Sequence, residues 1–170
     1  MRSVVQRYAQ TLHVRVPEVR FTQAASGPCY EAFSNRIEID ERTLSLPEPL
    51  LCIVLAHEVG HATQRKKMLL DLAWTGIGLA ILIVVPCVVF AASAEREIWR
   101  ISLPGLAFVI GFIACRMRLD RRIIALELDA DAKAAQLCGA SLALQALETL
   151  AQRGRIEPAR LDAMRTLARA

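Results

Sequence analysis

The chain has 170 residues, 54% of them hydrophobic, and a formal charge of +4. That apolar share exceeds the roughly 45–50% usual for a soluble domain, which excludes an ordinary water-soluble fold. The basic residues cluster beside apolar runs without interleaved aromatics, a pattern that suits a membrane surface and speaks against nucleic acid as a partner.

In chain order, the opening stretch is broken by charges throughout and is no signal peptide; "RYAQTL" suggests a short helix. "EVRFTQA" and "NRIEID" suggest strands, with the turn-rich "ASGPCYEAFSN" between them. Ile37 and Ile39 alternate with Arg36, Glu38 and Asp40, as in a half-buried strand at a sheet edge. Ser45 and Glu48 have capping-box spacing, and Pro47 and Pro49 fit only a first turn, so a helix is expected from Leu46 through His61.

The segment Leu72 to Ala94 is uncharged, and its 23 residues would rise roughly 34 Å as a helix, enough for a hydrocarbon core of about 30 Å. A second apolar segment, Ile101 to Cys115, reaches only about 22 Å and spans if Ile98, Trp99 and a snorkelling Arg100 are drawn in; a buried or interfacial helix is the competing reading. Arg65, Lys66 and Lys67 precede the first segment, and Arg116, Arg118, Arg121 and Arg122 follow the second. Both ends of the hairpin, and both termini, are therefore expected on the cytoplasmic side. Beyond it, "CGASLALQALETLAQRGR" predicts a turn at Gly139 and a helix with leucines at 142, 144, 147 and 150, and a short helix follows Pro158. The five cysteines include no C-x-x-C pair and read as small apolar residues in a reducing compartment.

The chemistry concentrates in "VLAHEVGHATQ". On a helix, His57 and His61 at i and i+4 project from one face and can present two imidazole nitrogens to one zinc ion, while Glu58 lies one position round, within reach of a water there. Gly60 allows another backbone to approach closely. The competing reading is a pair of hydrogen-bonded helix histidines. His13, alone in a polar segment, reads as structural or solvated. A catalytic zinc needs a third ligand from the same side of the membrane. In "ALELDADAKAA", Glu127 and Asp131 share a helix face with Asp129 turned away; Glu127 is the candidate ligand and Asp131 the acceptor that holds a histidine ring. On spacing alone, an exposed acidic face is an equal alternative.

"HEVGHATQ" followed by "ELDADAKAA" resembles the gluzincin peptidases of the HtpX and CAAX prenyl protease type, and a neighbouring group of bacterial membrane zinc peptidases with HEVGHA-x-Q. The resemblance covers about Phe21 to Leu150 and is specific at the two motifs. It implies one zinc per chain held by His57, His61 and Glu127, with Glu58 as catalytic base and Asp131 in support. "EAFSNRIEID" resembles the segment whose strand borders the substrate cleft there, so Arg36, Ile37, Glu38, Ile39 and Asp40 are the candidate substrate-binding edge. The membrane spans that open HtpX-type proteins are absent here, which suggests a reduced core. Where those proteins carry an arginine before the third ligand this chain has "IIAL", leaving Tyr30, Arg121 and Arg122 as candidate oxyanion stabilisers.

The expected fold is α+β, mostly helical: a zincin-like, minimal gluzincin core with a small sheet and an inserted transmembrane hairpin. It forms one membrane-embedded peptidase domain, with a catalytic part at 1–68, the hairpin at 69–117 and a helical part at 118–170 that carries the third ligand. The expected function is an integral-membrane zinc metalloendopeptidase of the bacterial inner membrane, with a cytoplasmic active site, that cleaves membrane or membrane-proximal proteins. A homo- or hetero-oligomer in the bilayer is compatible with this. A zinc-bound scaffold or chaperone-like protein without turnover, and a zinc hydrolase of non-peptide bonds, are the alternatives.

Overall fold

The computed structural model describes the backbone at residues 1–23, 27–92, 98–152 and 156–169, and side chains at all of these except 92 and 98–101. The side chains from Glu95 to Ile101, among them Ile98, Trp99 and Arg100 of the second predicted span, lie outside the described ones. The order is α1 (Arg2–Thr11), β1 (Glu18–Phe21), β2 (Cys29–Glu31), β3 (Arg36–Ile39), α2 (Glu41–Leu44), α3 (Glu48–Thr63), α4 (Arg65–Ala92), α5 (Ile98–Cys138), α6 (Ala140–Ala151) and α7 (Pro158–Arg169). The protein is thus mostly helical with one small sheet. It divides into two units, Met1–Met68 with Ile124–Ala170, and Leu69–Ile123.

In the first unit the sheet has the order β1-β3-β2, β3 running parallel to β1 and antiparallel to β2. The period-two pattern of β3 holds: Ile37 and Ile39 are fully buried while Arg36 and Glu38 are half-buried. Its predicted edge position does not. The turn-rich stretch contributes a third strand, β2, in register as Tyr30 opposite Ile37, so β3 is paired on both sides. Asn35, which turns the chain into β3, sits at φ 53°, a conformation asparagine tolerates better than most residues. It is buried, accepts a 2.8 Å hydrogen bond from the Tyr30 hydroxyl and donates to the Val16 carbonyl.

The helix α3 is apolar nearly all round and lies in the core, packed against α1, α6 and β2. Its cap differs from the expected one. Pro47 is the N-cap with no side-chain hydrogen bond, and the Ser45 hydroxyl instead donates to the Arg42 carbonyl at the end of α2. Asp40 caps α2, accepting from the Thr43 backbone N–H at 3.0 Å. At the other end α3 stops at Gln64, whose Nε2 donates to the Leu126 carbonyl at 3.0 Å and to Asp129 at 2.6 Å. Lys133 reinforces this joint, reaching Asp129 at 2.6 Å and the Thr63 hydroxyl.

The helix α6 buries one face as expected, although with smaller residues: Ala143, Ala146 and Leu147 are buried and Leu142 and Leu144 only partly. Leu147 packs with Met164 of α7. That contact fixes where α7 lies.

In the second unit, α4 and α5 are long and apolar enough to cross a membrane over Arg65–Ala91 and Ser102–Cys138. The second apolar segment does not stop near Cys115 but continues as one helix to Cys138. Along both helices large apolar side chains point outward, among them Ile81, Val85, Leu106 and Ile110, each more than half exposed.

Candidate metal centre

Three helices and one strand build the site. From α3, His57 and His61 bring their Nε2 atoms to 3.1 Å of each other. From α5, Glu127 places one carboxylate oxygen 3.3 Å from His57 Nε2 and the other 3.4 Å from His61 Nε2. The close approach of the two helices depends on Gly60: a Cβ there would lie 3.0 Å from the Ala130 Cα and 3.1 Å from its carbonyl oxygen. Ala130 sits between Glu127 and Asp131, so this contact sets the depth at which both carboxylates face the histidines.

The donor set fits zinc. Ligands about 2.0–2.1 Å from a tetrahedral ion lie about 3.3–3.4 Å from one another; here the imidazole nitrogens are 3.1 Å apart and each lies 3.3 or 3.4 Å from a different oxygen of the Glu127 carboxylate. Two imidazole nitrogens and a carboxylate oxygen are also the donor types that zinc accepts, and together they leave a fourth position open. No other group of three such side chains converges in this way among the described residues.

Asp131 and Arg160 hold these donors. Asp131 Oδ1 lies 2.8 Å from His57 Nδ1, which fixes the ring so that Nε2 faces Glu127. Arg160, from the first turn of α7, donates from Nε and Nη2 to the two Asp131 oxygens at 2.7 and 2.8 Å and from Nη1 to Glu127 at 2.7 Å. Such a fork fixes both carboxylate planes at once. His61 Nδ1 is buried with no hydrogen-bond partner among the described residues.

The charges follow from these contacts. Burial alone would make the His57 ring harder to protonate, but its bonds to Asp131 and Glu127 and the charge of Glu58 outweigh that and raise its pKa to about 9. Burial would likewise raise both carboxyls, yet the histidine contacts and Arg160 hold Glu127 and Asp131 below the ordinary carboxylate range. Glu58 moves the other way. Burial pushes its carboxyl up, against the pull of His57, His61 and the nearby Tyr30 backbone.

Of the sequence-predicted residues, His57, Glu58, His61, Glu127 and Asp131 come together. The predicted substrate edge does not serve as one: Ile37 and Ile39 are core residues, Arg36 pairs with Glu31 at 2.9 Å, Glu38 lies in the central strand and Asp40 is a helix cap. Tyr30 reaches the site through its backbone, while its hydroxyl is taken by Asn35. Arg121 and Arg122 belong to the hairpin unit, where Arg121 is exposed and Arg122 pairs with Asp71. His13 is exposed in the turn after α1. Sequence reasoning missed Arg160, one of three arginines in an amphipathic helix without a motif around it.

A His-Glu-x-x-His helix joined by a glutamate from a second helix defines the class of the metallopeptidases. Residues 1–166 match Peptidase family M48, and the chain belongs to that family of HtpX- and CAAX-protease-type zinc metallopeptidases. No curated protein and no solved structure matches the chain.

Proposed function

We propose that this chain is an integral-membrane zinc metalloendopeptidase with a zincin-like core, which hydrolyses peptide bonds in membrane proteins or their membrane-proximal segments. The observation that carries the reading is the convergence of His57, His61 and Glu127 on one point beside the buried Glu58 carboxyl. Zinc, when bound, supplies Lewis acidity that polarises the scissile carbonyl and makes water acidic enough to attack near neutral pH. Glu58 takes the attacking water's proton and returns it to the leaving amine, a role suited to a carboxyl whose burial raises its pKa. Asp131 and Arg160 act through the ligands by fixing their orientation.

The substrate strand belongs on β2, not on β3. β2 is an outer strand of the sheet, and the Tyr30 backbone lies close enough to Glu58 to lower its pKa, so an extended peptide added along it would pass the base and gain backbone affinity with little sequence preference. The membrane reading is supported by the two apolar helices and their outward-facing side chains. Basic residues at Arg65 to Lys67 and Arg116 to Arg122 favour a cytoplasmic site.

The test pairs zinc content with cleavage of an unfolded membrane protein by the detergent-purified chain and its Glu58→Gln variant. About one zinc in each, with cleavage by the parent alone, is the expected result. Equal cleavage by both removes Glu58 from the chemistry, and absence of zinc from both removes the metal site.

A further inference from the structure

The hairpin unit contains polar groups that peptide hydrolysis does not use. Asp71, at the start of the apolar part of α4, pairs through Oδ1 with Arg122 of α5. Its Oδ2 is buried and has no hydrogen-bond partner among the described residues. The nearby Thr75 hydroxyl does not help, because it donates to the Asp71 backbone carbonyl at 2.7 Å. A buried carboxylate oxygen left without a donor is costly, so the Asp71 carboxylate favours a further cationic donor drawn to it. Arg118, one helical turn before Arg122, is exposed and has no ion-pair partner among the described residues.

These three charged side chains line one end of a cavity of about 400 Å³ within the hairpin. Trp74 flanks them, and the wall then becomes apolar at Gly78, Ile81 and Gly111. Among the apolar lining residues the Leu82 side chain covers Gly111, 2.5 Å from where a Cβ would stand. Asp71 and Leu82 are separated by about 16 Å of helix rise. The cleft therefore has a charged mouth and a greasy throat on the scale of a lipid headgroup and the first part of an acyl chain.

Building on the membrane reading, we infer that this cavity binds a phospholipid whose headgroup carries a primary ammonium. The ammonium pairs with the Asp71 carboxylate at the cavity mouth, the phosphate lies between Arg118 and Arg122, and one acyl chain follows Gly78 and Ile81. Charge selects this occupant. A choline headgroup presents methyl groups and no N–H to the carboxylate, and a glycerol headgroup offers hydroxyls that carry no charge, whereas an ammonium adds the attraction of opposite charges to its hydrogen bond.

The experiment reconstitutes the full chain in nanodiscs of equal phosphatidylcholine, phosphatidylethanolamine and phosphatidylglycerol with identical acyl chains. The protein is then extracted in mild detergent, and the co-purifying lipid is quantified by mass spectrometry. Enrichment of the ethanolamine lipid over the choline lipid by about tenfold is expected, equivalent to about 1.4 kcal/mol. Asp71→Asn should abolish the preference. Arg118→Gln, at an exposed side chain whose loss leaves the fold intact, should reduce total retained lipid. Retained lipid that mirrors the bulk mixture, prefers glycerol or choline headgroups, or is unchanged in both variants overturns the inference. Resistance of the protein to carbonate extraction is read in parallel: a chain that washes off the bilayer fails the membrane reading, whereas one that stays but retains lipid unselectively fails only the lipid site.

Discussion

At the residue scale, Arg160 shows what holding a metal site requires beyond its ligands. Without it, Asp131 and Glu127 would be two carboxylates brought together with only the histidines between them. Arg160→Ala should therefore weaken zinc binding by about 10–100-fold, the usual effect of losing a group that orients the ligands. It should also destabilise the metal-free protein by roughly 3–5 kcal/mol, because buried ion-pair partners are left uncompensated. Arg160→Lys should recover only part of either, since an ammonium cannot bridge both oxygens of Asp131 and Glu127 together. Competition with a chelator measures the first effect and thermal unfolding the second; zinc affinity unchanged in Arg160→Ala would reduce the fork to a surface contact. The ligands themselves were legible in the sequence, because a 3.6-residue period forces His57 with His61 and Glu127 with Asp131 onto common faces. Arg160 was not, since nothing local in α7 says which of its three arginines will meet a distant carboxylate.

At the element scale, the packing of α3 on α5 sets the geometry of the site, and Gly60 is its narrowest point. Alanine there would gain up to about 1 kcal/mol of helix propensity, but its Cβ would press on the Ala130 backbone at 3.0 Å, which cannot swing aside as a side chain can. The expected net result for Gly60→Ala is destabilisation of about 1–2 kcal/mol with a smaller zinc-induced rise in melting temperature than the parent shows. A melting temperature and zinc response equal to the parent's would mean that the helices part without cost. A second element-level prediction concerns α1. Tyr8 is 6% exposed, with its hydroxyl 3.4 Å from Cys138 Sγ, and burial followed by that contact raises its pKa above the ordinary phenol value. The neutral form is the one stabilised, so this contribution is complete below about pH 10, the unfolded value, and is lost as pH rises toward the folded one. Tyr8→Phe should accordingly flatten the alkaline fall in stability by up to about 1.4 kcal/mol per pH unit; an unaltered slope would assign that fall to other groups. The elements that sequence reading misjudged share a cause. β2 is three residues long inside a turn-rich stretch and is specified by pairing with β3, and the capping box at Ser45 was displaced because α2 uses that hydroxyl first. Both outcomes depend on backbone partners a few residues away, which hydrophobic periodicity and a cap motif do not reveal.

At the scale of the whole molecule, the question is what solvates α4 and α5. Ile81, Val84, Val85 and Val88 of α4 are each more than half exposed, as are many α5 side chains. A soluble monomer rarely exposes a contiguous apolar patch beyond a few hundred Å², whereas in hydrocarbon the same surface costs nothing and the helical backbone is internally bonded. Val84→Lys tests this, because a charge near the centre of a spanning helix adds about 2.5–3.5 kcal/mol to the cost of insertion. In a soluble assembly the same change would only replace one exposed side chain. The expected outcome is a marked loss of carbonate-resistant protein from the membrane fraction, deeper when Val88→Lys is added, with no such loss for Asp162→Lys, an exposed change in the first unit. If Val84→Lys partitions as the parent does, α4 is not in contact with lipid at that depth. The substrates would then be sought among soluble proteins, with the zinc site unaffected, because His57, His61 and Glu127 all belong to the other unit.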